Sequence, residues 1–222
     1  MLVFKGHMPF GLHARLTRPA TYITFLREPV DRVISEYYSI LHHRLHPQHR
    51  RMQTLSLEEY ATRTPHHNVQ TKLLSGRGDY PDFLAGDCND ETLALAKENL
   101  AKHFTFAGLT ERFDEGLAAC KLLFGWNIAR YVHFNVTASV RPKKNSLPAA
   151  TQALIAERNK YDVRLYEHVK CAYADFLRPF GDLLREELES IPSAKALGRV
   201  ASALYATGSA VRKAIIRAHS AL

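Results

Sequence analysis

The sequence predicts an α/β fold, a mainly parallel sheet flanked by helices. Three observations lead there. Short, nearly unbroken apolar runs, of the kind that suit strands buried on both faces of a parallel sheet, recur along the chain. Segments with apolar residues at helical spacing lie between them, giving the strand–helix alternation of an α/β domain. One of the apolar runs ends in arginine and passes at once into a helix, and ligands of open α/β sheets bind beyond such strand ends.

The elements follow in order. Leu2-Val3-Phe4 reads as the end of a strand, and Tyr22-Ile23-Thr24-Phe25-Leu26 as a complete one. Pro29 fits a first helical turn, where its missing N–H would be unpaired in any case. Val30, Val33, Ile34, Tyr37 and Leu41 then fall on one helical face, and Pro47 limits that helix. Ser56-Leu57-Glu58-Glu59 is a capping-box pattern that opens another. Asp90 to His103, Thr110 to Phe124 and Pro148 to Phe176 read as helical, with Pro179 and Gly181 as interruptions. Phe104 to Leu109 and Tyr131 to Val136 are the remaining candidate strands.

Composition narrows the class. Of 222 residues, 46% are hydrophobic and 23% charged, enough for one sizeable core and unlike a disordered chain. No apolar run reaches the length of about 18 residues that a membrane helix needs, and Met1 to His7 lacks the basic start of a signal peptide. The expectation is a soluble, cytoplasmic protein. Cys88, Cys120 and Cys171 are far apart and odd in number, so they signal neither a disulfide framework nor a zinc site. The net charge is +8, but Lys195, Arg199, Arg212, Lys213 and Arg217 supply five of it after Ser190, with no acid among them. A main domain of only +3 is weak support for nucleic-acid binding, and no nucleic-acid partner is expected beyond a nucleotide.

Two regions follow from this, a domain over residues 1–190 and a basic amphipathic C-terminal helix over 191–222. In the second, Leu197, Val200, Leu204, Val211, Ile215 and Leu222 lie near one helical face. A helix docked on the domain or on a partner is the reading, with contact to a membrane surface as the alternative. Gly198 and Gly208 weaken it as a helix on its own.

The most informative segment is Thr24-Phe25-Leu26-Arg27-Glu28-Pro29-Val30-Asp31-Arg32-Val33-Ile34-Ser35. Arg27 sits at a strand's carboxyl end and Ser35 about 9 Å into the following helix. A guanidinium fork and one hydroxyl donor together suit the oxygens of a terminal phosphate. The alternative is an arginine that pairs with Asp31 and a serine without a ligand.

This spacing resembles the 3′-phosphate motif of carbohydrate sulfotransferases, especially the heparan sulfate 2-O-sulfotransferase type and its bacterial relatives. In that family a strand is followed by arginine, acid, proline, and a serine eight residues after the arginine. Gly6-His7-Met8-Pro9-Phe10-Gly11-Leu12-His13, Asn68 to Leu74, Gly108 to Phe113 and Asn135-Val136-Thr137 resemble further family segments, in order, so the similarity covers roughly residues 3 to 170. The resemblance implies a P-loop-NTPase-like sulfotransferase fold. It also implies 3′-phosphoadenosine 5′-phosphosulfate as co-substrate and a carbohydrate or other hydroxyl acceptor. Arg27 and Ser35 would then hold the 3′-phosphate. Arg141, in Arg141-Pro142-Lys143-Lys144, is a secondary cofactor candidate, against a solvated basic loop.

Sulfuryl transfer needs a group to take the acceptor's proton, and histidine suits that work near neutrality. His7 falls where the family carries its catalytic histidine, with His13 as runner-up. Asn68 and Gln70, with Thr71, are candidates to face the acceptor sugar, against a role in capping a helix. His42, His43, His46, His49, His66 and His67 make a histidine-rich region in which Arg44, Arg50 and Arg51 could meet an acidic glycan. His42 and His46 have a helical spacing that could seat a metal, but no ligand set is completed and none is expected.

Family members begin with a strand and a Pro-Lys loop leading to threonine and serine at a helix start, where backbone N–H groups cradle the phosphosulfate. No such pattern precedes His7. The expected sheet is therefore missing its first strand-loop-helix unit. A misassigned start, a truncation and a non-catalytic nucleotide- or glycan-binding relative all account for that.

Overall fold

The computed structural model describes residues 6–77, 86–126 and 141–190. Two strands, β1 (Tyr22–Leu26) and β2 (Phe104–Leu109), pair in parallel, with Tyr22 beside Phe104 and Leu26 beside Leu109. Nine helices accompany them among the described residues: α1 (Pro29–His42), α2 (His49–Met52), α3 (Leu57–Arg63), α4 (Val69–Ser75), α5 (Asp90–His103), α6 (Phe113–Phe124), α7 (Ala149–Arg158), α8 (Lys160–Leu177) and α9 (Gly181–Ser190). The fold is α/β, a small parallel sheet flanked by helices. None of the described helices is long and apolar enough to cross a membrane.

Local chemistry explains the boundaries. Pro29 starts α1, and the Glu28 carboxylate accepts from the Asp31 N–H. Ser56 and Glu59 form the reciprocal capping box that opens α3, and Asn89 with Thr92 does the same for α5. The helical stretch read as Pro148 to Phe176 is divided at Asn159, whose side-chain N–H₂ donates to the Ile155 carbonyl and ends α7. Thr110–Arg112 is a 3₁₀ turn rather than the start of α6.

Apolar residues gather in two clusters. One places Leu26, Phe106 and Leu109 of the sheet against α5, α6, α8 and α9. The other joins α1, α2, α3 and α7 through Val30, Ile34, Met52, Tyr60 and Ile155. Strand β1 was expected to be buried on both faces. Instead its cover is uneven, because the first cluster takes in Phe25 and Leu26 at the far end, while Ile23 stays 37% exposed. Gly108 lets strand and rings approach, since a Cβ there would lie 2.7 Å from the side chains of Phe106 and Phe25. The expected strands at Leu2 to Phe4 and Tyr131 to Val136, the Asn135 to Thr137 segment and the C-terminal helix lie outside the described residues.

The segment before β1 is fastened to α4. The Phe10 N–H donates to the Leu73 carbonyl, and Gly76 closes α4 with φ +66°. A Cβ on Gly76 would lie 2.6 Å from the Phe10 carbonyl oxygen. Gly76→Ala combines that clash with a left-handed backbone, so it is expected to cost at least about 1–2 kcal/mol. Urea unfolding checks this as a lower midpoint at unchanged slope, and an unmoved midpoint would show that the segment before β1 yields freely.

Candidate functional site

Because β1 and β2 are parallel, their carboxyl ends lie at one edge of the sheet, and charged side chains collect there. Arg27 and Glu28 follow β1, and Glu111 follows β2. The Glu28 N–H donates to Glu111 Oε1 at 2.8 Å, and the Tyr166 hydroxyl of α8 donates to Glu111 Oε2 at 3.0 Å. Burial, with the Glu111 charge beside it, holds the Tyr166 phenol above its usual range. Lys144 reaches in and pairs with Glu28 Oε1 at 3.0 Å.

At the centre is Asp31, in the first turn of α1. Arg27 donates to Asp31 Oδ2 from Nε at 2.9 Å and from a terminal nitrogen as well. Arg141, 110 residues further on, donates to both carboxylate oxygens. Burial acts to raise the Asp31 carboxyl, but the Arg141 and Arg27 contacts more than offset it and hold the group below the usual carboxylate range. Arg141 is the more enclosed of the two guanidinium groups, with a side chain 12% exposed against 28% for Arg27. Its Nε is buried without a partner.

The structure thus brings together two of the three expected phosphate-binding residues, Arg27 and Arg141. The third, Ser35, lies one helical turn beyond Asp31 on the same face of α1, buried at 8% exposure. The pairing of Arg27 with Asp31, weighed as the alternative from sequence, is present.

Gln70 holds the strand end itself. Its side-chain carbonyl accepts from the Arg27 N–H at 2.8 Å, and its N–H₂ donates to the Arg27 carbonyl at 2.9 Å. The amide continues the backbone pairing where the strand stops. Asn68 is 4% exposed, with φ +52°. Its side-chain carbonyl accepts from the N–H groups of Tyr161 and Asp162, and its N–H₂ donates to the Arg158 carbonyl. Both side chains expected to face an acceptor are therefore engaged within the protein, and Thr71 is likewise buried on Asp162.

Sequence reasoning missed Asp162. This carboxylate is fully buried and accepts from the N–H groups of Gln70 and Thr71 and from the Thr71 hydroxyl. Asn68 thus satisfies the first turn of α8, while Asp162 satisfies that of α4. The two helix starts cap each other, with Arg32 Nε 3.9 Å from Asp162. A separation of 94 residues between Asn68 and Asp162 leaves no local pattern that could reveal this.

His7 is exposed on the bend before Pro9. His13 instead sits at the start of β1, its Nδ1 2.8 Å from the Tyr22 hydroxyl and its ring against Phe10 and His103. Helix α4 links the two candidate regions, since Gln70 grips Arg27 and Leu73, one turn on, grips Phe10. Arg44 is exposed in the turn after α1, the far end of a helix about 20 Å long from Arg27. Among the described residues no group of three or more His, Cys, Asp or Glu side chains is placed to hold a metal ion. No protein-family model, curated protein or solved structure matches the chain.

Proposed function

We propose that the protein is a sulfotransferase that moves the sulfuryl group of 3′-phosphoadenosine 5′-phosphosulfate to a hydroxyl of a carbohydrate. The supporting observation is the convergence of Arg27 and Arg141 on one carboxylate at the carboxyl edge of the parallel strands. Two guanidinium forks that together grip one small oxyanion are a geometry suited to a phosphate monoester. The order of sequence segments that resemble carbohydrate sulfotransferases supports the same reading.

In this proposal Arg27 and Arg141 hold the donor's 3′-phosphate, with Ser35 one turn beyond Asp31. The acceptor oxygen attacks sulfur, and the bond from sulfur to the bridging oxygen breaks. Adenosine 3′,5′-bisphosphate leaves with the electron pair, and the acceptor's proton passes to His7. Nothing in this chemistry calls for a metal ion.

The nucleotide half of the proposal is the part most directly tested. Arg27→Ala is expected to weaken adenosine 3′,5′-bisphosphate binding by about 1.5–3 kcal/mol, the range for a charge-assisted contact. Calorimetry on the two proteins measures it, and equal affinity would remove Arg27 from the site.

A further inference from the structure

We infer that Asp31 is a resident counter-anion of the candidate phosphate site, displaced from Arg27 and Arg141 when a phosphate dianion binds. The inference rests on the proposed nucleotide-binding reading and adds a control to it.

Among the described residues, the linked basic groups at the sheet edge, Arg27, Arg141 and Lys144, face three carboxylates, Asp31, Glu28 and Glu111. With all six ionised the cluster is neutral. A dianion gains nothing from a neutral cluster unless one carboxylate withdraws.

Of the three carboxylates, Asp31 is the one placed to withdraw. Glu28 is committed to the Asp31 N–H through Oε2 and to Lys144 through Oε1. Glu111 is committed to the Glu28 N–H and the Tyr166 hydroxyl. Moving Glu28 would uncap α1, and moving Glu111 would break the tie between the ends of β1 and β2. Among the described residues, the hydrogen bonds that the Asp31 carboxylate accepts come from the two arginines alone. Its side chain is 23% exposed, so rotation towards water opens both guanidiniums at once and leaves the backbone hydrogen bonds intact. The same carboxylate keeps the forks converged in the meantime, which lowers the cost of ordering them on the ligand.

Titration of wild type, Asp31→Asn and Arg27→Ala with adenosine 3′,5′-bisphosphate tests this. Asparagine keeps the size of the side chain and removes its charge. Affinity is expected to rise about tenfold in Asp31→Asn and to fall in Arg27→Ala. A fall in both variants overturns the exchange and leaves the arginine site standing, with Asp31 needed to position it. Equal affinity in all three overturns the exchange and the nucleotide site together. A second readout needs no variant. The carboxyl carbon of Asp31 is followed by NMR against pH, with and without saturating adenosine 3′,5′-bisphosphate. Release from the guanidiniums is expected to raise its midpoint towards the ordinary carboxylate value, and an unmoved midpoint overturns the exchange.

Discussion

Asp162→Ala is expected to destabilise the protein by about 3–5 kcal/mol, the range for breaking a buried charged network from one side. The carboxylate is fully buried and meets three donors at 2.7–3.2 Å. Its removal leaves the Gln70 and Thr71 N–H groups and the Thr71 hydroxyl without an acceptor, in a place closed to water. Arg32 loses a charge at 3.9 Å while keeping Glu36 at 2.9 Å, so the desolvation cost falls mainly on α4. Asp162→Asn retains one acceptor oxygen and is expected to lose less. Urea unfolding of the three proteins is the measurement. A shift under about 1 kcal/mol for Asp162→Ala would mean that α4 finds another cap, and the mutual capping of α4 and α8 would not hold the fold.

The same pair of helices shows how far the sequence could be read. Elements set by local chemistry were legible. The capping box at Ser56, the proline start at Pro29 and the apolar runs of β1 and β2 all appear where their residues place them. The helix from Asp90 to His103 is likewise bounded as its residues indicate. Contacts that close over a hundred residues were not legible. Arg141 was a candidate by resemblance, but nothing in its neighbourhood shows that it shares a carboxylate with Arg27. Asn68 and Gln70 carry amides in the first turn of a helix, a pattern as suited to a ligand as to a cap, and only the three-dimensional position decides. Gln70 shows the difference most clearly. Its amide is spent on the backbone of the residue that carries the candidate phosphate contact, so it supports that residue's position. Gln70→Ala would loosen the site without touching the ligand.

His7→Ala is expected to lower kcat by about 10²–10⁴, with the affinity for adenosine 3′,5′-bisphosphate nearly unchanged. The separation follows from where the groups lie. The nucleotide contacts assigned to Arg27 and Arg141 are held by Asp31 and by the Gln70 amide, and none passes through His7. In the proposed reaction His7 is the proton acceptor; it lies on an exposed bend, in a segment that α4 ties to the Arg27 turn through Phe10 and Leu73. His13 is held elsewhere in this arrangement. Its Nδ1 is bound to the Tyr22 hydroxyl, and its ring belongs to an aromatic group at the start of β1, five residues upstream of Arg27 and about 16 Å along the strand. His13→Ala should therefore act on stability, through the loss of the Tyr22 and Phe10 contacts, more than on turnover per folded molecule. Transfer from radiolabelled 3′-phosphoadenosine 5′-phosphosulfate to a panel of carbohydrate acceptors gives kcat, and calorimetry gives the nucleotide affinity. Full turnover in His7→Ala with loss in His13→Ala would move the base from the bend to the aromatic group at the start of β1. A base there would lie about 16 Å along the strand from Arg27, too far for the 3′-phosphate and the transferred group of one donor to be held together, and a phosphate site at Arg27 could no longer belong to the same donor.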